Sequence, residues 1–268
     1  MKFIDAHGHL FPEKIAWKSK DIVSRFYDLP MYTAGAMEEL LKIKNAPGET
    51  YTLEKQLVCS PSTSPAQTHS INLFISAMCA EHNFLVGLGT LHPGNENFEE
   101  ELDFIQESGL KGVKFHSDFQ QFNIDDDAMF PVYESISRRR LPILFHMGDG
   151  KYDFSHPRRL ARLLSIYPDL VVMASHMGGY LHWQEAYDLP VCENLFFDLS
   201  STLAFIQPED LRRMVDKFGV EKFFFGSDFP MWNAYRELDR LKTFGLTDEE
   251  FQKIIYDNFV AFEEKYLS

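Results

Sequence analysis

Phe3-Ile4-Asp5-Ala6-His7-Gly8-His9 opens the chain with an apolar run that ends in two histidines one residue apart. The run reads as a first β-strand, and in a strand alternate side chains share a face. His7 and His9 are therefore expected to point the same way, a spacing that suits two imidazoles on one metal ion. Asp5 is expected on that face as well, to hold a ring or line the interior. Taken alone the pair is a short motif that chance produces on surfaces. Its weight depends on what the rest of the chain supplies.

Beyond it, short β-type runs alternate with helical patterns to the end of the chain. Eight strands are expected, over 2–7, 55–59, 84–91, 112–116, 142–146, 170–175, 195–199 and 222–227. Several are near-continuous apolar stretches, such as Leu170-Val171-Val172-Met173-Ala174, which suit parallel strands buried on both faces. Helical periods fill the intervals. The stretch 65–81 carries Ile71, Phe74, Ile75 and Met78 on one stripe, and 98–108 ends before Gly109, a C-cap signal. Further helices are expected over 125–140, 157–166, 208–218 and 233–244, and Thr247-Asp248-Glu249-Glu250 opens a last one with a capping box. Strand–helix alternation repeated eight times predicts an α/β fold, a (β/α)8 TIM barrel in a single domain spanning 1–268.

The main irregularity is residues 11–54, inserted between the first two strands. It holds two helical stretches, 13–27 and 34–44, with Pro30 between them and Ala46-Pro47-Gly48 after. An insertion there lies over the C-terminal mouth of a barrel, as a lid or wall of the substrate pocket, or else as a packing extension or dimer contact.

The 268 residues match the roughly 250 of a single such barrel. Lys plus Arg is 26 against 40 for Asp plus Glu, a formal net charge of −14. That balance argues against nucleic-acid binding, which relies on clustered Lys and Arg. Cys59, Cys79 and Cys192 are odd in number and widely spaced, which fits buried free thiols in a reducing cytoplasm better than a disulfide frame. There is no signal-peptide pattern at Met1-Lys2-Phe3-Ile4-Asp5, and no apolar run reaches the roughly 20 residues of a membrane span. A cytoplasmic protein without membrane partners is expected.

Polar residues gather where the predicted strands end: His7 and His9 after the first, Lys114 and His116 in the fourth, His146 in the fifth, His176 after the sixth, Asp228 after the eighth. In such barrels the catalytic groups come from these strand ends. Three imidazoles and one carboxylate form a nitrogen–oxygen site suited to zinc, manganese or ferrous iron, with a further position left for water or substrate.

Five segments resemble the amidohydrolase superfamily, in the branch with aminocarboxymuconate-semialdehyde decarboxylase, resorcylate-type decarboxylases and related metal-dependent hydrolases. They are Asp5-Ala6-His7-Gly8-His9, Gly112-Val113-Lys114-Phe115-His116, Leu144-Phe145-His146-Met147-Gly148, Ala174-Ser175-His176-Met177-Gly178-Gly179 and Phe225-Gly226-Ser227-Asp228-Phe229-Pro230. They occur in family order and span nearly the whole chain. The resemblance implies that His7, His9, His146 and Asp228 bind one divalent metal, with Zn2+ first and Mn2+ or Fe2+ as alternatives. It implies that His176 hydrogen-bonds the bound water or the substrate, and that Asp228 also takes the water's proton. A homodimer acting on a small-molecule substrate follows from the same resemblance. The expected reaction is hydrolysis of a C–O or C–N bond by metal-activated water. Non-oxidative decarboxylation of an unsaturated or aromatic acid is the alternative, since the five motifs serve both.

Lys114 is expected either as a carboxylated lysine bridging two metals, as some superfamily members have, or as a substrate cation or partner of an inward carboxylate. His116 is read as a substrate contact or a hydrogen-bonded strand-end histidine. His156 reaches the substrate or ties its own loop, where Ser155 is a candidate helix cap. Trp232 forms an aromatic pocket wall or packs in the core. Asp198 and Ser200 are expected to line the pocket opposite the metal. His92 lies within reach of the mouth, whereas His69, His82 and His182 read as surface histidines.

Overall fold

The computed structural model describes residues 1–46 and 50–267. The Pro47-Gly48 part of the turn expected after the second insertion helix lies outside the described residues. The strands are β1 (Lys2–Asp5), β2 (Thr52–Val58), β3 (Leu85–Gly87), β4 (Gly89–Thr90), β5 (Val113–Phe115), β6 (Ile143–Phe145), β7 (Val172–Ala174), β8 (Leu195–Asp198) and β9 (Phe223–Phe224). All pair in parallel and in chain order, in sheets of three and six strands. The sheets meet at Leu88, between the two halves of the third expected strand: Leu88 N donates to Val58 O while Gly89 N donates to Gly112 O. Ala6 N donates to Phe225 O at 2.8 Å, and Gly8 bridges Phe229, joining the last strand to the first. The architecture is the (β/α)8 barrel.

The strands are shorter than the apolar runs suggested, because the ladder stops where the polar mouth begins. Helices α1 (Glu13–Tyr27), α2 (Met37–Lys44), α3 (Thr68–Glu81), α4 (Phe98–Glu107) and the short α5 (Ser117–Gln120) come first. Then follow α6 (Phe130–Arg138), α7 (Pro157–Ile166), α8 (Trp183–Ala186), α9 (Pro208–Phe218) and α10 (Ala234–Lys242). The stretch read as helix from Asp125 begins instead with a 3-10 turn, where the Asp126 side chain accepts from Ala128 N. The Thr247–Glu250 capping box is present and opens a C-terminal helix interrupted by π-helical turns. None of the described helices is long and apolar enough to cross a membrane.

Two apolar layers sandwich the strands. Phe3, Val113, Phe115, Ile143, Phe145 and Phe197 belong to the layer shared with the helices. Ile4, Ala6, Leu57, Leu144, Met173 and Phe224 fill the interior, together with Phe259 and Phe262 of the C-terminal helix. Burying a side chain of that size contributes about 1.5–3 kcal/mol. With the lower interior filled by hydrocarbon, polar groups concentrate at the C-terminal mouth.

Candidate metal centre

β1 ends at Asp5, within the alternation that sends Ile4 and Ala6 inward. Asp5 does not join the histidines. Its Oδ1 accepts from Ser227 N at 2.8 Å and His7 N at 3.2 Å, tying the first strand end to the last. Burial pushes this carboxyl up to about 7, against the hydrogen bonds from Ser227 and His7. His7 and His9 follow at alternate positions of a segment that stays bridged to its neighbours, Gly8 to Phe229 and His9 to Cys59, in close approach to Gln56 of β2. Gly8 leaves room for it, since a Cβ there would sit 2.6 Å from Gln56 Nε2.

His7 Nε2 and His9 Nε2 lie 3.6 and 3.2 Å from Asp228 Oδ1. Ligand atoms at about 2.0–2.2 Å from a tetrahedral ion sit roughly 3.3–3.6 Å apart, so these three donors have the spacing of one coordination sphere. The other nitrogen of His7 is committed: Nδ1 faces Asp198 Oδ2 at 2.9 Å. Burial raises the Asp198 carboxyl, but attraction and hydrogen bonding to His7 outweigh it and hold the group at about 2. An ionised Asp198 keeps the proton on Nδ1 and leaves the Nε2 lone pair for a metal. Burial lowers His7 itself to about 4, so the ring is neutral. Asp228 is also ionised; its burial is outweighed by the attraction of His7 and by the hydrogen bond from His9, whose proton a metal ion on His9 Nε2 would displace.

Among the described residues, the donors of His7, His9 and Asp228 lie within 4.8 Å of one another, whereas His146 groups with His116 and Asp118, and His176 with His7 and Asp198. His146 Nε2 lies 2.9 Å from Gly148 O, and His176 Nδ1 lies 2.9 Å from Ser200 O. A carbonyl only accepts, so both of those nitrogens carry the hydrogen. His146 Nδ1 and His176 Nε2 then present lone pairs to each other at 3.0 Å. Burial lowers both rings' pKa values, which removes the bridging proton that would relieve the clash. Two facing lone pairs call for a cation beside them, and the donor set fits a divalent ion.

The backbone is bent to make this arrangement. His176, Ser201 and Asp228 have φ of 58°, 48° and 57°, a left-handed region that costs a non-glycine residue about 1–3 kcal/mol. Asp228 Oδ2 accepts from Ser201 Oγ at 2.6 Å, and Trp232 Nε1 donates to the same Oγ at 2.9 Å. Trp232 thus braces Asp228 from behind and does not line the cavity.

A cavity of about 590 Å³ rises from His9, His146, His176 and Asp228. α1 forms one wall and closes it with Tyr27, whose Oη lies 3.0 Å from His116 Nε2 and 3.4 Å from His146 Nε2. His116 lines the cavity, its ring stacked on His146 at 3.8 Å and on Phe119 at 3.9 Å. His116 Nδ1 accepts from Phe119 N, so Nε2 donates to Tyr27 Oη and the tyrosine hydrogen is left to point into the cavity.

Other expected residues fall elsewhere. Lys114 is fully buried beneath the floor, its Nζ 3.4 Å from His7 Nε2, and it does not line the cavity. His156 lies outside the cavity, stands 4.7 Å from His182 ring to ring, and caps α7 by accepting from Arg158 N. That replaces Ser155 as the cap; the serine hydroxyl instead donates to Asp118 Oδ2. Asp198 and Ser200 sit behind His7 and His176, not opposite a metal. His92 turns back to accept from Gly94 N.

Sequence reasoning passed over Tyr27, Asp118 and the role of Cys59. Cys59 Sγ lies 3.7 Å from His9 Nδ1. Asp118, 1% exposed, lies 3.8 Å from His146 Nε2 with its Oδ1 unpartnered. Only the His116-Ser117-Asp118 spacing signalled it. Nothing marks Tyr27 in a helix of ordinary composition.

The family described as amidohydrolase matches residues 4–258. Among curated proteins none matches the sequence significantly. Solved structures share the fold at low identity. A TIM-barrel protein from Bordetella bronchiseptica is 18% identical with a TM-score of 0.78, each chain covered to 99%. A dihydroxybenzoic acid decarboxylase from Polaromonas, with bound manganese and the inhibitor 2-nitroresorcinol, is 15% identical with a TM-score of 0.73, covering 98% of this chain and 97% of its own. A Pseudomonas putida protein provisionally designated a 2-pyrone-4,6-dicarboxylic acid hydrolase is 16% identical with a TM-score of 0.70, covering 99% and 98%. Matched from the first strand into the last helix, this chain belongs to the amidohydrolase family.

Proposed function

We propose that the protein hydrolyses a neutral C–O or C–N bond of a small organic substrate, with one divalent ion held by His7, His9, His146 and Asp228. Zn2+ suits the donors, and Mn2+, carried by the Polaromonas decarboxylase, suits them too. One observation carries the choice of reaction. Among the described residues, the only lysines lining the cavity are Lys14 and Lys18 on α1, and no arginine does. On these walls a reacting carboxylate would find no buried cationic side chain and would depend on the ion alone, Lys114 lying beneath the floor against His7, whereas an ester, lactone or amide carbonyl needs no countercharge.

When bound, the ion supplies Lewis acidity and brings the pKa of water from about 15.7 to about 7. The chain's own residues do the rest. Asp228, ionised and braced by Ser201, accepts the proton of the attacking water and returns it to the leaving oxygen or nitrogen. His176 is fixed by Ser200 with its Nε2 toward the floor, where it orients the attacking oxygen. Tyr27 donates its free hydrogen to the substrate carbonyl oxygen as charge builds there. The apolar walls keep other water away and strengthen that bond.

Decarboxylation is the second reading, favoured by the aromatic cluster of Tyr27, Phe119 and Tyr180 beside the floor and by the decarboxylases that share the fold. Metal-loaded protein should be incubated with panels of esters, lactones, amides and aromatic acids while carbon dioxide and acid release are followed. Acid release from a neutral substrate is the expected result. Carbon dioxide without a hydrolytic product would replace this reading with the second.

A further inference from the structure

α1 is a 15-residue helix with a single buried residue, Ala16. Its apolar side chains at Ile15, Ile22 and Val23 face the cavity, yet Ile15 and Ile22 remain 40% and 51% exposed. Opposite them stand Ile71 and Phe74 of α3, two members of a stripe whose Ile75 is fully buried. A helical apolar face is ordinarily packed against a core. Here the space between the two faces is the outer part of the cavity, continuous with the floor of His146, His176 and Asp228. About 590 Å³ is the size of a site for a drug-sized molecule.

We infer that the substrate carries an extended apolar substituent on its reacting carbonyl, and that this tail lies between Ile15 and Ile22 of α1 and Ile71 and Phe74 of α3. The inference rests on the hydrolytic reading for the head group, and the walls define the tail independently. The tail is uncharged along its inner length. Lys14 and Lys18 stand at the α1 edge, where a polar end would emerge.

The test is calorimetric titration with straight-chain hydroxamic acids, from acetohydroxamic to decanohydroxamic acid, against manganese-loaded and chelator-stripped protein. Each added methylene should tighten Kd about threefold to fourfold in both states until the cavity is full. Ile22→Asp and Phe74→Asp, both on a partly wet face, should weaken decanohydroxamate at least tenfold and leave acetohydroxamate binding to the loaded protein unchanged. A Kd independent of chain length in both states overturns the inference while leaving the hydrolytic reading intact. A chain-length series that survives while the metal makes no difference to any member does the reverse. If the substitutions leave the series untouched but dissociate a dimer in sedimentation, the face is a subunit contact and the inference fails.

Discussion

His146 Nδ1 and His176 Nε2 face each other at 3.0 Å, and neither carries a hydrogen, because Gly148 O and Ser200 O hold the hydrogens of both rings on the far side. A positive charge beside the two lone pairs stabilises such an arrangement. Removing the metal should therefore destabilise the fold as well as end activity. We expect the thermal midpoint to fall on chelation and to recover with Zn2+ or Mn2+, by about 2.7 kcal/mol of stability at a free-ion concentration of 100 Kd. His146→Ala relieves the facing pair and should abolish most of that recovery. Identical melting of stripped and loaded wild-type protein would count against a metal centre.

Asp198 touches His7 Nδ1 at 2.9 Å and would act on a metal at Nε2 without reaching it. Asp198→Asn replaces an acceptor with a group that can donate, so the hydrogen on His7 Nδ1 loses its charged partner. Metal affinity should drop about 10- to 100-fold in a chelator competition, the usual effect of losing a carboxylate behind a ligating imidazole. His7→Ala and Asp228→Asn should instead leave folded protein nearly free of metal by elemental analysis. Full metal content in both would remove these residues from the ligand set.

In the proposed mechanism Tyr27, which lines the cavity beside His116 and His146, is the contribution of the insertion to the chemistry. Tyr27→Phe keeps the ring's edge contact with Tyr180 and deletes only the hydroxyl. If that hydroxyl meets the developing charge, kcat falls about 10²- to 10³-fold while KM changes little. A raised KM with unchanged kcat would reassign Tyr27 to holding the lid.

Asp118 supplies a pH signature. Burial first, then repulsion from Asp149, pushes its carboxyl up to about 7, and the hydrogen bond from Ser155 only partly offsets them. The folded state then binds a proton that the unfolded chain, near 3.8, releases. Between those values stability declines as pH rises; the loss is complete above about 7 and absent below about 3.8, and amounts to a few kcal/mol. In chelator-stripped protein, Asp118→Asn should reduce this slope in urea titrations between pH 5 and pH 8, leaving the share contributed by Asp5, which is also raised to about 7. An equal slope in both proteins would refute the protonated carboxyl.

Much of the architecture is legible from periodicity. The helix read over 13–27 and the one over 208–218 match α1 and α9 residue for residue, since amphipathic spacing and terminal signals are local. Boundaries failed where a distant partner sets them. The helix expected from Asp125 is delayed by the Asp126 bond to Ala128 N, and Ser155 gives up the α7 cap to His156 because Asp118 claims its hydroxyl. The convergence of His7 and His9 was expected from strand alternation. Gly8 and His9 stay bridged to Phe229 and Cys59, which keeps the two histidines at alternate positions of one segment, while Ser227 anchors Asp5 from the other end of the chain.

By itself the sequence determined the repeating strand–helix order, the polar strand ends and the residue types available to a metal, because each is written in local hydrophobicity and spacing. Only the tertiary structure decided which nitrogen of His7, His146 and His176 is free, since Asp198 and Ser200 O select the tautomers of His7 and His176 from across the barrel, and Gly148 O that of His146 from the loop that follows it. It also decided that the insertion lends Tyr27 and an apolar wall to the cavity. Composition cannot reveal either fact, because a side chain's hydrogen-bonding state and its exposed face depend on neighbours that the chain brings together only on folding.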